Sequence, residues 1–228
     1  MPGEDAKAIS EYTLAIMVNQ KDADAYTGRG FAYAHLEDYD KAIADFTRAI
    51  ELNPKLALAF ISRGSAHYQK GDYDRVITDC TRAIELDPKL ALTYISRGSA
   101  HYQKKDYDKA IADFTRAIEL DPEVAAVYNN RGLAYAGKGD FDKAVSDYTM
   151  AISMNPGDAQ AYSDRGHAYC LKGDYDNAIA DCTRAIEIDP KLSVAYRNRG
   201  NAQNKKGDYD KADADFRKAK ELGYKWTP

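Results

Sequence analysis

Apolar and small residues return along this chain at intervals of three and four, interrupted at regular distances by short polar stretches. Between Ala125 and Asp158, Tyr128, Gly132 and Tyr135 mark one stripe, and Ala144, Tyr148, Ala151 and Ile152 mark the next. This spacing puts each set on one side of a 3.6-residue spiral, which predicts two amphipathic helices. Gly139-Asp140 separates them. The glycine permits a turn, Asp140 caps the second helix and Asp142 favours its positive end. Asn155-Pro156 closes the second helix, and the same pair is expected to open the following one, with Asn as cap and Pro in the first turn. Asn53-Pro54, Asp87-Pro88, Asp121-Pro122 and Asp189-Pro190 repeat that signal. Links this short require neighbouring helices to pack antiparallel.

The whole two-helix pattern recurs. Arg-Gly stands at 29-30, 63-64, 97-98, 131-132, 165-166 and 199-200, always 34 residues apart. Eight residues after each glycine comes an Asp-aromatic-Asp, as in Asp72-Tyr73-Asp74 and Asp140-Phe141-Asp142. A fixed period of this size marks an array of supersecondary pieces, each too small to bury a core alone and stable only when stacked. The expected layout is one array over 1–228. It holds repeats 23–56, 57–90, 91–124, 125–158, 159–192 and 193–226, preceded by a lone second helix at 4–20.

Written out, the pattern is aromatic-x3-Gly-x2-Tyr, then Ala-x3-aromatic-x2-Ala, then Pro. Tyr128, Gly132, Tyr135, Ala144, Tyr148, Ala151 and Pro156 carry it in the fourth repeat. It resembles the tetratricopeptide repeat (TPR) family. The small residues have a physical task, since Gly132, Ala144 and Ala151 allow two helix backbones to approach closely. The resemblance implies an all-α TPR superhelical solenoid of antiparallel helix pairs, right-handed, with the first helices lining a concave groove. It also implies a role in gripping peptides or assembling proteins.

Three departures from the family pattern stand out. The residue before each glycine is always arginine (Arg29, Arg63, Arg97, Arg131, Arg165, Arg199). Each second helix carries an aspartate at one fixed place (Asp45, Asp79, Asp113, Asp147, Asp181, Asp215). Equal supply of the two predicts a ladder of Arg–Asp pairs; the competing use is an anion-binding row, because forked guanidinium groups suit phosphate or carboxylate. Next, His67 and His101 replace a tyrosine in repeats two and three, which differ from each other at nine of 34 positions and look like a recent duplication. Cys80 and Cys182 stand where other repeats have Phe or Tyr and are expected to be small core residues, whereas Cys170 is a candidate to face the groove. Finally, the two ends differ. Asp213 and Lys220 replace apolar residues and predict a polar end face at which stacking stops. At the other end, Ala8, Tyr12 and Ala15 form a stripe with no first helix before it. That stripe, with Leu14, is the candidate surface for self-association.

Composition removes several function classes. There are 32 basic and 36 acidic residues, a net charge of −4 spread along the chain, so the basic stripe needed for sequence-independent nucleic-acid binding is missing. No apolar run approaches the roughly 18–20 residues of a membrane span, and Met1-Pro2-Gly3-Glu4-Asp5 lacks the features of a signal peptide. The three cysteines fit neither a metal-ligand spacing nor an even disulfide framework. No phosphate loop or nucleophile-base arrangement stands outside the repeat pattern. The expectation is a cytoplasmic, non-enzymatic scaffold with no cofactor and no metal.

On the family geometry the resemblance implies, the groove is lined by first-helix residues three or four apart. The candidate peptide-binding residues are Phe31, Ile61, Ser65, Tyr68, Ile95, Ser99, Tyr102, Asn129, Leu133 and His167. They make an apolar, aromatic middle flanked by polar groups, a pattern associated with binding patches and hot spots. Two ligand modes known in the family find no residues here. The places of the chaperone carboxylate clamp hold Thr27, Phe31, Ser62, Leu92 and Ser96. The places of the asparagine ladder hold Gly28, Ser62, Ser96, Asn130, Asp164 and Asn198. The expected partner is a peptide segment of another protein, with a second copy of the chain as the alternative.

Overall fold

Each stripe becomes a helix. The computed structural model describes residues 2–225, which form thirteen α-helices and no strand. The chain divides into two compact units at Leu120/Asp121. The first unit holds α1 (Pro2–Val18), α2 (Ala23–His35), α3 (Tyr39–Leu52), α4 (Ala57–Gln69), α5 (Tyr73–Leu86), α6 (Ala91–Gln103) and α7 (Tyr107–Leu120). The second holds α8 (Ala125–Lys138), α9 (Phe141–Met154), α10 (Ala159–Lys172), α11 (Tyr175–Ile188), α12 (Ser193–Lys206) and α13 (Tyr209–Glu221). The sixth expected repeat runs to Trp226, which lies outside the described residues.

Local chemistry sets the helix ends. Asp38, Asp72, Asp140 and Asp174 each accept a hydrogen bond from the backbone N–H three residues on, as the caps of α3, α5, α9 and α11. The Asn/Asp-Pro pairs do only half of what their sequence suggests. Asn53, Asp87, Asn155 and Asp189 close their helices, but the next helix begins four residues later in each case. Their side-chain oxygens accept instead from the N–H two residues on, Lys55 at 3.2 Å and Lys89 at 3.0 Å among them. Such an Asx turn competes with capping the following helix, and the proline sits inside it.

Within a repeat, the core is a close approach of the two helices. A Cβ placed on Gly30, Gly98, Gly132 or Gly200 would come within 3.0 Å of the ring of Phe46, Phe114, Tyr148 or Phe216 respectively. The alanines beside these rings, such as Ala42, Ala49, Ala144 and Ala151, are almost fully buried. Cys80 and Cys182 are core residues as expected, and burial pushes both thiols up to about 12.

His67 and His101 are buried as well, in the place of Tyr33, Tyr135 and Tyr169. Burial lowers both pKa values below the ordinary 6.5. The unfolded chain therefore takes up protons that the folded chain resists. Stability is complete above the unfolded value and falls as pH drops through it toward the folded values. Replacing both histidines with tyrosine is expected to flatten the loss of stability between about pH 7 and about pH 5. Urea denaturation at a series of pH values checks this, and a loss as steep as in the parent would refute it.

Candidate functional site

The arginines that open each Arg-Gly pair are held in place by carboxylates. Arg29, Arg63, Arg97, Arg131, Arg165 and Arg199 each donate from Nε and Nη2 to both oxygens of the aspartate 16 residues on, at 2.7–2.9 Å. The aspartate side chains are 4–12% exposed and the arginines 16–20%. The forks are thus spent on the fold, and no anion-binding row is left open. Sequence reasoning missed a third member. Within each unit, Nη1 of the arginine donates to a threonine on the second helix of the preceding repeat: Arg29 to Thr13, Arg63 to Thr47, Arg97 to Thr81, Arg165 to Thr149 and Arg199 to Thr183, at 3.0–3.1 Å. The signal was present, since these threonines also recur every 34 residues.

With that side of the first helices committed, the opposite side remains. In the first unit, α2, α4 and α6 border two hollows. One, of about 430 Å³, is lined by Phe31, His35, Tyr39, Leu58, Ile61 and Ser65 among others. The other, of about 270 Å³, is lined by Gly64, Ser65, Tyr68, Val76, Ile95, Ser96 and Ser99. Six of the seven candidates in this unit therefore converge on these two spaces, which share Ser65. Ile61, Tyr68, Ile95 and Tyr102 are half-buried rather than sealed. Tyr68 stands edge-on to Tyr73 with ring centres 5.4 Å apart. Tyr102 borders neither hollow and packs against Tyr107 at 5.8 Å. The smaller space adjoins a local change in the core. Val76 stands where the other repeats have alanine and Cys80 where most have an aromatic ring, and the two pack together with Ala100.

In the second unit the candidates separate. Leu133 packs onto the cluster of Ala144, Tyr148 and Ala168, so it belongs largely to the core. Asn129 and His167 are half-buried in a polar setting. Burial and the positive charge of Arg197 lower the pKa of His167. Burial pushes Asp164 up to about 6, partly opposed by the Gln160 and Asn129 amides.

The N-terminal stripe is covered in part, and Tyr12 remains 37% exposed. The ring of Tyr12 lies on Gly28 of α2, where a Cβ would come within 2.2 Å of it. Ala8 and Ala15 are half-buried, while Leu14, Met17 and Val18 are 62%, 70% and 90% exposed. Among the described residues no cluster of His, Cys, Asp and Glu could hold a metal, and no helix is long and apolar enough to cross a membrane.

Comparison with known proteins gives one consistent result. Residues 23–56, 57–90, 125–158 and 159–192 match the family model described as tetratricopeptide repeat, and residues 98–139 and 182–214 match further models of the same repeat. A crystal structure of MamA is 30% identical over 71% of this chain and 95% of its own, with a TM-score of 0.68. YrrB, described as a TPR protein with an unusual peptide-binding site, is 23% identical over 81% of this chain and 95% of its own, with a TM-score of 0.71. The C-terminal part of a TPR repeat-containing protein from Cytophaga hutchinsonii is 22% identical over 96% and 91%, with a TM-score of 0.77. No curated protein sequence matches the chain.

Proposed function

Since this chain belongs to the tetratricopeptide repeat family, a family of scaffolds that bind other proteins, we propose that its first unit takes up an apolar segment of a partner. The adjoining hollows between α2, α4 and α6 carry this reading, because they are bordered by Phe31, Leu58, Ile61, Tyr68 and Ile95 and rimmed by serines. Large apolar side chains of the partner would enter the two spaces, with Ser65, Ser96 and Ser99 supplying hydrogen bonds. YrrB offers a parallel within the same fold, as a TPR protein with a peptide-binding site.

Selection of binders from a random-peptide display library tests the reading. Selected sequences should share at least two large aliphatic or aromatic side chains. Tyr68→Ala should weaken them by roughly 1–3 kcal/mol. Tyr68 also packs on Tyr73, so Leu58→Asp, on an exposed rim, is the cleaner variant and should reduce affinity with little change in thermal midpoint. Unchanged affinity in both variants would overturn the reading. A second reading is self-association through Ala8, Tyr12, Leu14 and Ala15 of α1, favoured by exposed Leu14, Met17 and Val18. Light scattering on the same samples separates the two, because a mass that stays monomeric at high micromolar concentration removes self-association.

A further inference from the structure

The two hollows of the first unit are one feature repeated. The larger is bordered on α4 by Ile61, Ser62 and Ser65, and the smaller on α6 by Ile95, Ser96 and Ser99, the same three places 34 residues on. Ser62 and Ser96 turn their hydroxyls back onto the carbonyls of Leu58 and Leu92, at 2.8 and 3.0 Å. The hydroxyls of Ser65, which is exposed, and Ser99, which is half-buried, carry no hydrogen bond among the described residues. No lysine, arginine, aspartate or glutamate lines either space. Only His35 could bring a charge, and its Nδ1 already faces Asp5 Oδ1 at 3.3 Å. Each repeat step therefore offers one uncharged apolar hollow and one free hydroxyl.

The length of that step selects the backbone that can use both hollows. They lie on either side of α4 and share Ser65, so their separation is that of helices packed side by side, about 8–10 Å. A β-strand presents same-side residues about 6.6 Å apart, or about 13 Å at the next repeat, and misses on both counts. Neighbours at i and i+4 on an α-helix are about 6 Å apart and fall short. Two matches remain: an α-helix at i and i+7, about 10.5 Å, and a polyproline II chain at i and i+3, about 9.3 Å. The helix satisfies its own carbonyls and would cover Ser65 and Ser99 without giving them an acceptor. A polyproline II chain leaves every carbonyl open, and where its residues are proline it has no N–H to satisfy.

We propose, resting on the uptake of an apolar segment by the first unit, that this segment is an uncharged, proline-rich stretch in the polyproline II form, with large apolar side chains at i and i+3. One side chain enters the space beside Phe31 and Ile61, and the other the space beside Tyr68 and Ile95. Ser65 and Ser99 each donate to a carbonyl of the segment, one per three residues, in step with the repeat. A charged residue at either buried position would lose its water and find no counter-charge, so the segment is neutral there. Proline-rich chain holds this form before it binds, which lowers the ordering cost of association.

Three blocked peptides, titrated into the full chain and followed by amide NMR, provide the test. The first is acetyl-Pro-Leu-Pro-Pro-Leu-Pro-Pro-amide, with leucines three apart. The second, acetyl-Pro-Leu-Pro-Leu-Pro-Pro-Pro-amide, has the same composition with leucines two apart. The third is a stapled alanine–glutamine helix with leucines at i and i+7. The first should give saturable shifts at Ile61, Ser65, Tyr68, Ile95 and Ser99, and bind at least about tenfold tighter than the second, which can fill only one hollow at a time. Ser65→Ala and Ser99→Ala should each weaken it about two- to tenfold. Equal affinity of the two proline peptides, tighter binding of the helix, or no loss in the serine double variant would overturn the proposal and leave apolar uptake standing. Shifts of the same amides on concentrating the chain alone would assign the hollows to a second copy and also overturn it. The absence of saturable shifts at Ile61, Tyr68 and Ile95 with all three peptides would remove apolar uptake and this proposal together.

Discussion

Replacing Arg97 with methionine is expected to lower stability by roughly 3–5 kcal/mol, the cost of leaving a buried charge without its partner. Asp113 would lose both hydrogen bonds from Arg97, and its side chain, 8% exposed, is largely out of reach of water. Thr81 would lose the donor that ties it to the next repeat. Asp113→Leu in the same background should recover most of the loss, because an apolar pair of similar size avoids desolvating two charges. Urea denaturation of the parent, both single variants and the double variant gives the coupling directly. Single and double losses that simply add would show that the pair contributes nothing beyond its separate parts. The exposed bridges Lys70–Asp40 and Lys104–Asp74 also link repeats, yet they lie in water and should matter far less.

Alanine at Gly132 and alanine at Gly64 should act in opposite directions, although the two glycines hold the same place in their repeats. A Cβ on Gly132 would lie 2.7–3.2 Å from the Tyr148 ring, which is itself fully buried and has nowhere to move. Overpacking of this kind typically costs about 1–3 kcal/mol. A Cβ on Gly64 meets Asp79 Cβ at 3.5 Å and Cys80 Sγ at 3.7 Å, ordinary contact distances. There the higher helix propensity of alanine should prevail, for a gain of up to about 1 kcal/mol. Thermal and urea midpoints of the two variants check the contrast. Equal effects of the same sign would mean that Cys80 does not relax the packing of the second repeat.

That contrast shows what could be read in the sequence. The helices, their antiparallel pairing and the Arg–Asp rungs all follow from residues that recur with a strict period, and each is present. Thr13, Thr47 and Thr81 recur just as strictly, but a hydroxyl has too many ordinary uses in a helix for its periodicity to announce a partner. Asn53-Pro54 misled because the same two residues suit both a helix cap and an Asx turn, and only the backbone path decides. The smaller hollow, beside Ile95, adjoins Val76, which packs on Cys80, and how much volume that pair fills is something no spacing rule provides. The stripe of Ala8, Tyr12 and Ala15 has no first helix before it, and the sequence reading overlooked that Tyr12 also rests on the helix that follows, while staying 37% exposed. The clue lay in Gly28, the smallest residue at a place where later repeats carry Ser62, Ser96, Asn130, Asp164 and Asn198. The division at Leu120/Asp121 left no mark, since the period runs through it unchanged.

The threonine, arginine and aspartate of a rung lie at equal steps of 16 residues, as in Thr47, Arg63 and Asp79. Removing or doubling any whole period therefore joins a resident threonine to a resident arginine with nothing mismatched at the seam. A gene encoding such a chain can lengthen or shorten by in-frame recombination without inventing a new junction each time. The second and third repeats, which differ at nine of 34 positions, are what one such event followed by divergence would leave behind.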